Sequence, residues 1–385
     1  MRILFVSIKS VHFKRWISQL EDCGFELYFF DINGSDGSYL DLPWLHQRDS
    51  WKLKLKLPGY YRLKKLFPWA FEVVNKLISR RTDEVFEGYL NEVKPDVVHS
   101  FALQLSCTPI ISIMQKYPNI YWIYSSWGSD LYYHQSFPKL KTNIQRVLGR
   151  VNYAFSDCNR DVALMKNLGF EGSHLGVFPG GGGYKLDMVE TLIETNLNDR
   201  NCIIVKGYEG EIGRCINVLK ALELISHELK NYRIIIFSAD EEVINVIEQK
   251  QLKWVFDILL IKSSKPISQI EVMRLMGKSL LYIGNSISDG MPNTLLEAVI
   301  MGAFPIQSNP GGVSEEIITP GQNGLVINDP ENIEEIKVLI QKVITDKALQ
   351  QQAFEFNQTT IKPQLDYELV KTRVFNAYKS ISIST

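Results

Sequence analysis

Short apolar runs alternate with amphipathic segments along most of the chain. The first apolar run covers residues 3–7, a helical pattern follows over residues 13–23, and a second run covers residues 26–31. Strand, helix and strand in this order indicate a parallel sheet of Rossmann type. The glycine-rich fingerprint of dinucleotide-binding proteins does not follow the first strand, so dinucleotide binding there is unsupported.

The rest of the first half continues this alternation. Helices are predicted over residues 71–93 and 107–116, and strands over residues 95–100, 120–124, 151–156 and 172–178. Residues 33–49 have no regular pattern. Four consecutive glycines at 180–183 give the backbone unusual freedom, so we expect a linker or hinge there.

The alternation begins again after residue 201. Strands are predicted over residues 202–205, 233–237, 258–261, 280–283, 303–307 and 325–327. The predicted fold class is therefore α/β, with two doubly wound, Rossmann-like domains. We place the first domain at residues 1–190 and the second at residues 191–365. The last segment, residues 366–385, is expected to form a helix that packs back on the first domain.

Length, net charge and cysteine content exclude some classes of protein and favour others. The chain has 385 residues, more than one hydrophobic core usually holds, so two domains are the natural expectation. A net charge of −1 excludes a globally basic nucleic-acid-binding protein. Five scattered cysteines without a Cys-x-x-Cys pair fit a reduced, cytosolic protein better than a disulfide framework. No apolar run reaches the length of a membrane span.

One strand, loop and helix of the second half is rich in candidate chemistry. The apolar run at 280–283 predicts the strand, and residues 294–301 predict the helix. Pro292 lies just before the helix, and we expect Asn293 or Thr294 to cap its first turn. A helix start in this position suits an anion such as phosphate, because free N–H groups and the helix dipole point to one place.

Two carboxylates flank this helix start. Asp289 lies in the loop before it, and Glu297 lies about one turn into the helix. Carboxylates accept hydrogen bonds from sugar hydroxyls, so a phosphate between two of them fits a nucleotide-sugar. The alternative is an ordinary strand, loop and helix with a capped start, and these residues alone do not decide between the two interpretations.

Basic and aromatic residues are interleaved between residues 51 and 69. The basic residues are Lys52, Lys54, Lys56, Arg62, Lys64 and Lys65. Residues 52–57 alternate basic and apolar, which predicts a strand-like segment with one basic face. Together with aromatic residues that include Trp51 and Trp69, the segment is a candidate surface for anionic lipid headgroups. The alternative is a solvated edge over buried apolar partners.

A polar loop, residues 125–130, follows one of the predicted strands of the first domain. Open α/β sheets bind ligands at the carboxyl ends of their strands, so Trp127 and Asp130 are candidate site residues. The alternative role for Asp130 is to cap the next helix. His99 lies at the end of another predicted strand, where we interpret it as a hydrogen-bonded core residue.

Four sequence blocks occur in a fixed order in the second half. They are Asp-Gly-Met-Pro-Asn-Thr-Leu-Leu-Glu-Ala at 289–298, Met-Gly-Ala-Phe-Pro-Ile at 301–306, Pro-Gly-Gly-Val-Ser-Glu-Glu-Ile at 310–317 and Gly-Gln-Asn-Gly-Leu-Val at 321–326. With the two Rossmann-like halves and the glycine run, they resemble the signature of the GT-B glycosyltransferases. The resemblance is specifically to family 4 of the retaining enzymes (glycosyl transferases group 1). It implies two Rossmann-like domains that face each other across a cleft.

The resemblance implies roles for individual residues of the second domain. Glu297 would bind the donor ribose hydroxyls, and Asp289, which replaces the usual glutamate, would act as a catalytic residue beside the donor sugar. The residues expected to hold the donor and its distal phosphate are Gly290, Met291, Pro292, Asn293, Thr294 and Leu295. Because aspartate has a shorter reach than glutamate, the sugar preference is expected to differ.

A basic pair after the first strand of the second domain normally neutralises the donor diphosphate in this family. Arg214 and Lys206 are the candidates for this pair, and the resemblance also implies a catalytic role for Arg214. Many relatives have a histidine near the donor sugar where this chain has Trp127 and Asp130 instead. Asp130 is therefore the third residue expected to be catalytic.

The first domain of GT-B enzymes holds the acceptor. His12 and Arg15, near the start of the first predicted helix, are therefore expected on the acceptor or membrane side. The six basic residues between positions 52 and 65 are expected on the same side.

The implied function is transfer of a hexose from a nucleoside-diphosphate donor, with UDP favoured, to a glycan or lipid-linked acceptor. The same resemblance implies retention of anomeric configuration, surface polysaccharide synthesis, and a cytoplasmic location at the inner face of an anionic membrane. No metal ion and no cofactor are expected, since the sequence has no Asp-x-Asp motif and no His/Cys ligand cluster. The alternatives are a sugar epimerase or phosphorylase on the same fold, and an inactive nucleotide-sugar-binding subunit.

Overall fold

Two α/β units are formed by the residues that the computed structural model describes, namely 1–54, 66, 69, 71, 72, 75, 78–254 and 256–381. The first unit contains Met1–Asp157, Asp161–Gly181 and Arg373–Thr385, and the second contains Cys158–Arg160 and Gly182–Thr372. The chain passes from the first unit to the second between the second and third glycines of the glycine run.

A parallel sheet forms the centre of the first unit. Its strands are β1 (Arg2–Ser7), β2 (Glu26–Asp31), β3 (His46–Arg48), β4 (Val97–Phe101), β5 (Tyr121–Ser125), β6 (Tyr153–Ser156) and β7 (Ser173–Val177). Within the described residues their order is β3-β2-β1-β4-β5-β6-β7, and neighbouring strands are parallel. β1 and β4 are buried along almost their whole length, because both faces of a central parallel strand are covered by helices.

The helices of the N-terminal part connect these strands. They are α1 (Val11–Ser18), α2 (Thr82–Val93), α3 (Ile111–Lys116), α4 (Ser129–Tyr132), α5 (Pro138–Leu148) and α6 (Asn159–Asn167). Helix α1 begins where Ser10 caps it, since the Ser10 hydroxyl accepts from the amide of Phe13 (3.1 Å). It ends at Ser18, one turn earlier than the sequence pattern predicts.

The sequence prediction is wrong in two further places of the first unit. Residues 33–49 are not wholly irregular, because β3 pairs with β2 there and forms the edge of the sheet. Its sequence, His-Gln-Arg, is short and polar and lacks the apolar signal of a buried strand. The helix predicted over 71–93 is interrupted. The described residues 71, 72, 75 and 78 are helical, Ser79 forms an antiparallel bridge with Leu53, and a second helix begins at Thr82.

A second parallel sheet forms the centre of the second unit. Its strands are β8 (Cys202–Lys206), β9 (Arg233–Ala239), β10 (Asp257–Lys262), β11 (Ser279–Gly284), β12 (Phe304–Ser308) and β13 (Leu325–Ile327). Within the described residues their order is β10-β9-β8-β11-β12-β13, again with parallel neighbours. Every strand lies where the apolar runs predict one, so the predicted doubly wound α/β class is confirmed for both units.

Helices cover this sheet. They are α7 (Cys215–Leu224), α8 (Glu241–Gln249), α9 (Gln269–Met276), α10 (Asn293–Ile300), α11 (Ile333–Thr345), α12 (Lys347–Phe356) and α13 (Tyr367–Lys379). In both sheets the strand order reverses beside the first strand, between β1 and β4 and between β8 and β11. Loops leave such a pair of strands in opposite directions, which opens a crevice for ligands at the carboxyl edge. Among the described residues, no helix is both long enough and apolar enough to cross a membrane.

The end of α13 contributes to the core of the first unit. The Tyr378 hydroxyl accepts a hydrogen bond from Nε1 of Trp16 (3.0 Å) and lies 2.7 Å from Nδ1 of His99. Nε2 of His99 lies 2.8 Å from Oγ of Ser125. Burial lowers the pKa of His99 well below its usual value, so its ring is neutral. The interpretation of His99 as a hydrogen-bonded core residue is confirmed.

Candidate functional site

Two loops at the carboxyl edge of the second sheet are joined to each other. One follows β8 and the other follows β11, on the two sides of the point where the strand order reverses. Gly213 forms an antiparallel bridge with Ser286, and the amide of Ile287 donates to the carbonyl of Ile212 (2.9 Å). These bonds fix both loops, so the side chains on them are positioned before a ligand binds.

The loop after β8 requires glycine at two positions. A Cβ at Gly207 would lie 2.6 Å from Cα of Ala239, and a Cβ at Gly213 would lie 2.3 Å from the backbone of Tyr208. Backbone atoms cannot move aside as the end of a flexible side chain can. Any larger residue at either position would therefore displace the loop.

Lys206 and Asp289 form an ion pair in this crevice. Lys206 is the last residue of β8, Asp289 lies in the loop after β11, and Nζ and Oδ2 are 3.2 Å apart. Their side chains are 13% and 22% exposed. Burial lowers the pKa of Lys206, but interactions led by the Asp289 carboxylate outweigh burial and raise it. Lys206 is therefore a fixed positive charge at neutral pH.

Helix α10 begins without a side-chain cap. Pro292 occupies the N-cap position, so the helix starts one residue earlier than predicted. The hydroxyl of Thr294 lies 2.8 Å from that of Tyr282, and Oδ1 of Asn293 accepts from the hydroxyl of Tyr184 (3.3 Å). The prediction that Asn293 or Thr294 caps the helix is therefore wrong, because both lie inside the first turn. A helix start that no side chain caps suits a bound anion.

Glu297 lies in the second turn of α10 and is 6% exposed. The side-chain amide of Gln269 donates to its Oε1 atom. Gln269 is the first residue of α9, whose start is fixed by a capping box between Ser268 and Glu271. The sequence analysis missed Gln269. The Ser-x-x-Glu pattern marks the start of α9, but it does not reveal the contact with another helix.

Arg214 lies at the end of the loop after β8, immediately before α7. Its Nε atom pairs with the carboxylate of Glu331, which also accepts from Nδ2 of Asn217 (2.8 Å). Within the described part of the chain, Arg214 makes no ion pair with Asp289, whereas Lys206 does. Of the two expected cations, Lys206 is the one in contact with the expected catalytic carboxylate. Glu331 is a partner that the sequence did not reveal.

Asp130 is buried beneath the loop that follows β5. Its carboxylate accepts hydrogen bonds from the hydroxyl of Tyr124 (2.6 Å) and the amides of Leu103 (2.8 Å) and Trp127 (3.1 Å). Burial raises the pKa of Asp130 to about 7, against the effect of these hydrogen bonds. Asp130 does not cap the next helix, because Gly128 occupies the N-cap position. These contacts support the loop, and the catalytic role of Asp130 stays a prediction.

His12, Arg15 and Trp127 lie together at the carboxyl edge of the first sheet. The rings of His12 and Trp127 meet edge to face, with centroids 6.2 Å apart. A Cβ on Gly181 would lie 3.2 Å from the guanidinium carbon of Arg15, and one on Gly180 would lie 3.6 Å from the Trp127 ring. Gly181 therefore leaves room for Arg15, whereas a Cβ on Gly180 would make an ordinary van der Waals contact with Trp127. The result is a mixed basic and aromatic surface, which suits a sugar or a lipid-linked glycan.

Trp51 is a core residue and does not contact a membrane, contrary to the sequence interpretation. It is 5% exposed, its ring stacks on Phe30 with centroids 5.2 Å apart, and its Nε1 atom donates to the carbonyl of Asp31 (2.7 Å). Trp69, by contrast, is 74% exposed. The aromatic residues of this segment thus include one core residue and one surface residue, and the sequence pattern alone does not show which is which.

The basic segment expected at the membrane is only partly described. Lys56, Arg62, Lys64 and Lys65 lie outside the described residues. Nζ of Lys52 donates to Oγ1 of Thr82 (3.3 Å), and burial lowers the pKa of Lys52. Lys54 is exposed, and its amide donates to the carbonyl of Ile78 (2.8 Å). Lys52 is therefore partly withdrawn from the surface, whereas Lys54 is not.

The comparisons with known proteins agree with the fold. Residues 213–359 match the family model of glycosyl transferases group 1. No curated protein matches the sequence. Sucrose-phosphate synthase from Thermosynechococcus elongatus has a similar structure, with a TM-score of 0.70, 13% sequence identity and coverage of 98% of each chain.

Two further solved structures illustrate the same likeness. Anabaena Alr3699/HepE in complex with UDP-glucose has a TM-score of 0.68 at 12% identity, covering 99% of this chain and 100% of that chain. The UDP-forming α,α-trehalose-phosphate synthase from Burkholderia xenovorans has a TM-score of 0.65 at 12% identity, covering 99% of each chain. At such identities the structures show the shared fold. The chain therefore has the GT-B fold, and its residues 213–359 are similar to the glycosyl transferases group 1.

Proposed function

We propose that the protein transfers a hexose from a UDP-sugar to a glycan or lipid-linked acceptor, with retention of anomeric configuration. The observation that carries this proposal is the Lys206–Asp289 ion pair beside the uncapped start of α10, with Glu297 one turn further along. Three types of group that a nucleotide-sugar requires occur in one crevice: a cation, phosphate-binding amides and carboxylates for hydroxyls. Solved structures with the same fold include one bound to UDP-glucose and one described as UDP-forming, which favours uridine.

The distal phosphate of the donor binds at the start of α10. Backbone amides at this start, such as those of Met291, Asn293 and Thr294, supply N–H donors, and the positive end of the helix dipole favours the negative charge. Glu297 accepts hydrogen bonds from the ribose hydroxyls. Gln269 fixes the orientation of this carboxylate, so little side-chain entropy is lost when the donor arrives.

The diphosphate and Asp289 compete for Lys206. When the donor binds, the diphosphate takes the place of the carboxylate beside Nζ, and Asp289 turns to a hydroxyl of the donor sugar. Negative charge grows on the diphosphate as the bond to the sugar breaks. Because Lys206 is already charged and positioned, it stabilises this transition state without reorganisation. Arg214 adds a second cation from the same loop.

The first unit binds the acceptor through His12, Arg15 and Trp127. Asp130 orders the loop that carries Trp127, and we propose this supporting role in place of a direct part in the reaction. An acceptor carried by a lipid places the enzyme at the cytoplasmic face of an anionic membrane. Its product is a growing surface polysaccharide. Lysine, arginine and helix amides supply the charge stabilisation, so transfer is proposed to need no metal.

Nucleotide release from a panel of nucleotide-sugars tests this proposal. Purified protein is incubated with UDP-, GDP- and ADP-sugars, with and without a glycan acceptor and with and without EDTA. We expect UDP release that depends on the acceptor, survives EDTA and is lost in Asp289→Asn. The anomeric configuration of the product is then read by NMR. A product of the same configuration as the donor supports retention.

The alternative functions give different results in the same assay. A sugar epimerase converts the UDP-sugar without releasing UDP. A phosphorylase releases no nucleotide. When inorganic phosphate is added together with a glycan, it forms a sugar 1-phosphate instead. A nucleotide-sugar-binding subunit binds UDP and releases none from any sugar. Each of these outcomes would replace the proposed function.

A further inference from the structure

A basic cavity lies beyond the edge strand of the first sheet. Its volume is about 580 Å³, within the range of roughly 300–1,000 Å³ that is typical of small-molecule sites. Its lining contains four cations, Arg48, Lys54, Arg80 and Arg81, and one carboxylate, Glu84. Of the residues assigned above to donor, acceptor or membrane, only Lys54 is among them. The cavity therefore needs an explanation of its own.

Two arginines of this cavity are not neutralised by an acid among the described residues. Arg81 forms ion pairs with Asp83 and Glu84. Arg48 and Arg80 form no ion pair among the described residues. Two guanidinium groups thus face the cavity without a balancing carboxylate in the described part of the chain. Arginine engages phosphate oxygens through paired N–H donors, so its planar group suits a phosphate ester.

The backbone holds these cations in place. Arg48 ends β3, and its guanidinium carbon lies 5.7 Å from the centroid of the Tyr89 ring, in the range of a cation–π contact. The amide of Lys54 donates to the carbonyl of Ile78 (2.8 Å), and the amide of Arg80 donates to that of Lys52 (2.8 Å). These two bonds join the segments that carry Lys54 and Arg80. Folding therefore brings the backbone at Lys54 and Arg80 to the same wall of the cavity.

Helix α2 supplies a buried hydroxyl and, at an exposed glycine, an open space. Tyr89 is 6% exposed, and burial raises its pKa to about 12, so its hydroxyl stays protonated and can donate a hydrogen bond. Gly88 precedes it on α2, and a Cβ built there meets no atom within 4 Å. A side chain at position 88 would therefore extend into free space. Glycine in a helix interior is less favourable than alanine, so its presence needs a reason.

We propose that this cavity binds the phosphate group of an anionic ligand, held by Arg48, Lys54 and Arg80. The space above Gly88 accommodates the group attached to the phosphate. The ligand is a phosphate monoester such as a sugar phosphate, or the phosphate headgroup of a lipid. The proposal shares only Lys54 with the residues expected at the membrane, and it uses no residue of the donor crevice and none of the surface formed by His12, Arg15 and Trp127.

A matched pair of variants tests the charge of the cavity separately from its shape. Gly88→Glu and Gly88→Gln introduce side chains of equal size, and only the first adds a negative charge. A second variant, Arg48→Gln/Arg80→Gln, removes the two guanidinium groups without entering the cavity. The control is Lys139→Gln/Lys141→Gln, which removes two exposed cations from α5 in the same unit. Circular dichroism and thermal melting establish that each variant is folded.

Binding is measured with three probes on the full chain. Calorimetry uses inorganic phosphate and glucose 6-phosphate, and co-sedimentation uses phosphatidylcholine vesicles with and without phosphatidylglycerol. We expect the wild type and the α5 control to bind at least one probe. Gly88→Glu and Arg48→Gln/Arg80→Gln should weaken that binding at least tenfold, and Gly88→Gln should weaken it less than Gly88→Glu. Binding of the soluble probes identifies a free phosphate ester, and binding of the anionic vesicles alone identifies a lipid headgroup.

Three results would overturn the proposal. The first is that the wild type binds none of the probes. The second is that Gly88→Glu and Gly88→Gln bind equally well, which would mean that charge in the cavity has no effect. The third is that the α5 control loses as much binding as Arg48→Gln/Arg80→Gln, which would indicate general attraction to a basic surface. If Gly88→Glu does not fold, the comparison of the two double variants decides the question.

Discussion

The carboxylates at the carboxyl edges of the two sheets have different kinds of partner. At the edge of the second sheet, Asp289 and Glu297 are held by side chains, Lys206 and Gln269, that line the same crevice. At the edge of the first sheet, Asp130 faces inward and accepts three hydrogen bonds from the scaffold. A carboxylate at such an edge can thus be available to bind a ligand, or it can stabilise the loop that carries it. The groups that hydrogen-bond to the carboxylate distinguish these two roles.

The comparison also concerns charge. The second sheet brings together groups whose charges are balanced in pairs, so a diphosphate can exchange with one partner of a pair. The edge of the first sheet instead carries His12, Arg15 and Trp127, which contribute two aromatic rings and one guanidinium group. Preorganised charges suit the donor diphosphate, because negative charge develops on it during the reaction. An aromatic surface suits recognition of a neutral sugar face.

Glu297→Ala should have the largest effect on the edge of the second sheet. It removes charged hydrogen bonds to the donor ribose, so the affinity for UDP should fall by roughly 2–5 kcal/mol. Calorimetry with UDP measures this directly. The control is Glu355→Ala, an exposed glutamate of α12, which should bind UDP like the wild type. Wild-type affinity in Glu297→Ala would remove Glu297 from the donor site.

Lys206→Met should reduce turnover by about 10²–10³-fold, because it removes a preorganised charge from the leaving diphosphate. The measurement is kcat at saturating donor. Lys262→Met is the matched control, since Lys262 also ends a strand of the same sheet but is exposed. The double variant Lys206→Met/Asp289→Asn should regain thermal stability lost in Lys206→Met, because no unpaired carboxylate remains. Unchanged turnover in Lys206→Met would reduce Lys206 to a support for the loop.

The sequence predicted the second unit better than the first, and the reason is physical. Strands β8, β9, β11, β12 and β13 are largely buried, and the edge strand β10 keeps an apolar run although it is only partly buried. Each therefore appears as an apolar run between turn residues. β3 lies at an edge of the first sheet and is short and polar, so the pattern of apolar runs did not predict it. The bridge between Leu53 and Ser79 joins residues that are distant in sequence, and no local pattern encodes it.

The same limit applies to the site. Asp289 and Glu297 were recognisable because their motif is contiguous, but their partners come from other segments. The contact between Gln269 and Glu297 spans two helices, and the pair between Arg214 and Glu331 spans more than a hundred residues. Sequence therefore identified the carboxylates and not the groups that orient them.

Arg214→Ala should reduce turnover more than donor affinity, because negative charge on the diphosphate grows as the glycosidic bond breaks. The loss should be about 1.5–3 kcal/mol, the scale of one charged hydrogen bond. Steady-state kinetics with varied donor separates kcat from KM. A rise in KM with unchanged kcat would make Arg214 a ground-state binder. Glu331→Gln is the companion variant and should keep turnover, since it leaves the guanidinium in place.

Asp130→Asn should change the pH dependence of stability. The pKa of Asp130 is about 7 in the folded protein, above the value of about 3.9 in an unfolded chain. Between these values the folded state binds the additional proton. The stability that Asp130 contributes is therefore complete below about pH 4 and falls by roughly 1 kcal/mol per pH unit until pH 7. Asparagine does not titrate, so this slope should be absent from the variant.

Denaturant unfolding between pH 5 and 7 measures that slope. Asp130→Asn is also expected to be less stable throughout, because its amide group cannot accept all three hydrogen bonds. The slope, and not the absolute stability, is therefore the test. Asp22→Asn is the control, since Asp22 is exposed in the same unit. Identical slopes in the wild type and Asp130→Asn would contradict the titration of Asp130 in this range.

Arg15→Gln should have the smallest effect, and that effect should be confined to the acceptor. Arg15 is half-buried beside Gly181, and we place it on the acceptor side of the first unit. Loss of one partly exposed charge should raise the acceptor KM by up to tenfold, about 1.4 kcal/mol. The affinity for UDP and the kcat at saturating acceptor should be unchanged, because the donor groups belong to the other sheet. Arg146→Gln, an exposed arginine of α5, is the control for general charge effects. A weaker affinity for UDP in Arg15→Gln would assign Arg15 to the donor and would remove the division of roles between the two edges.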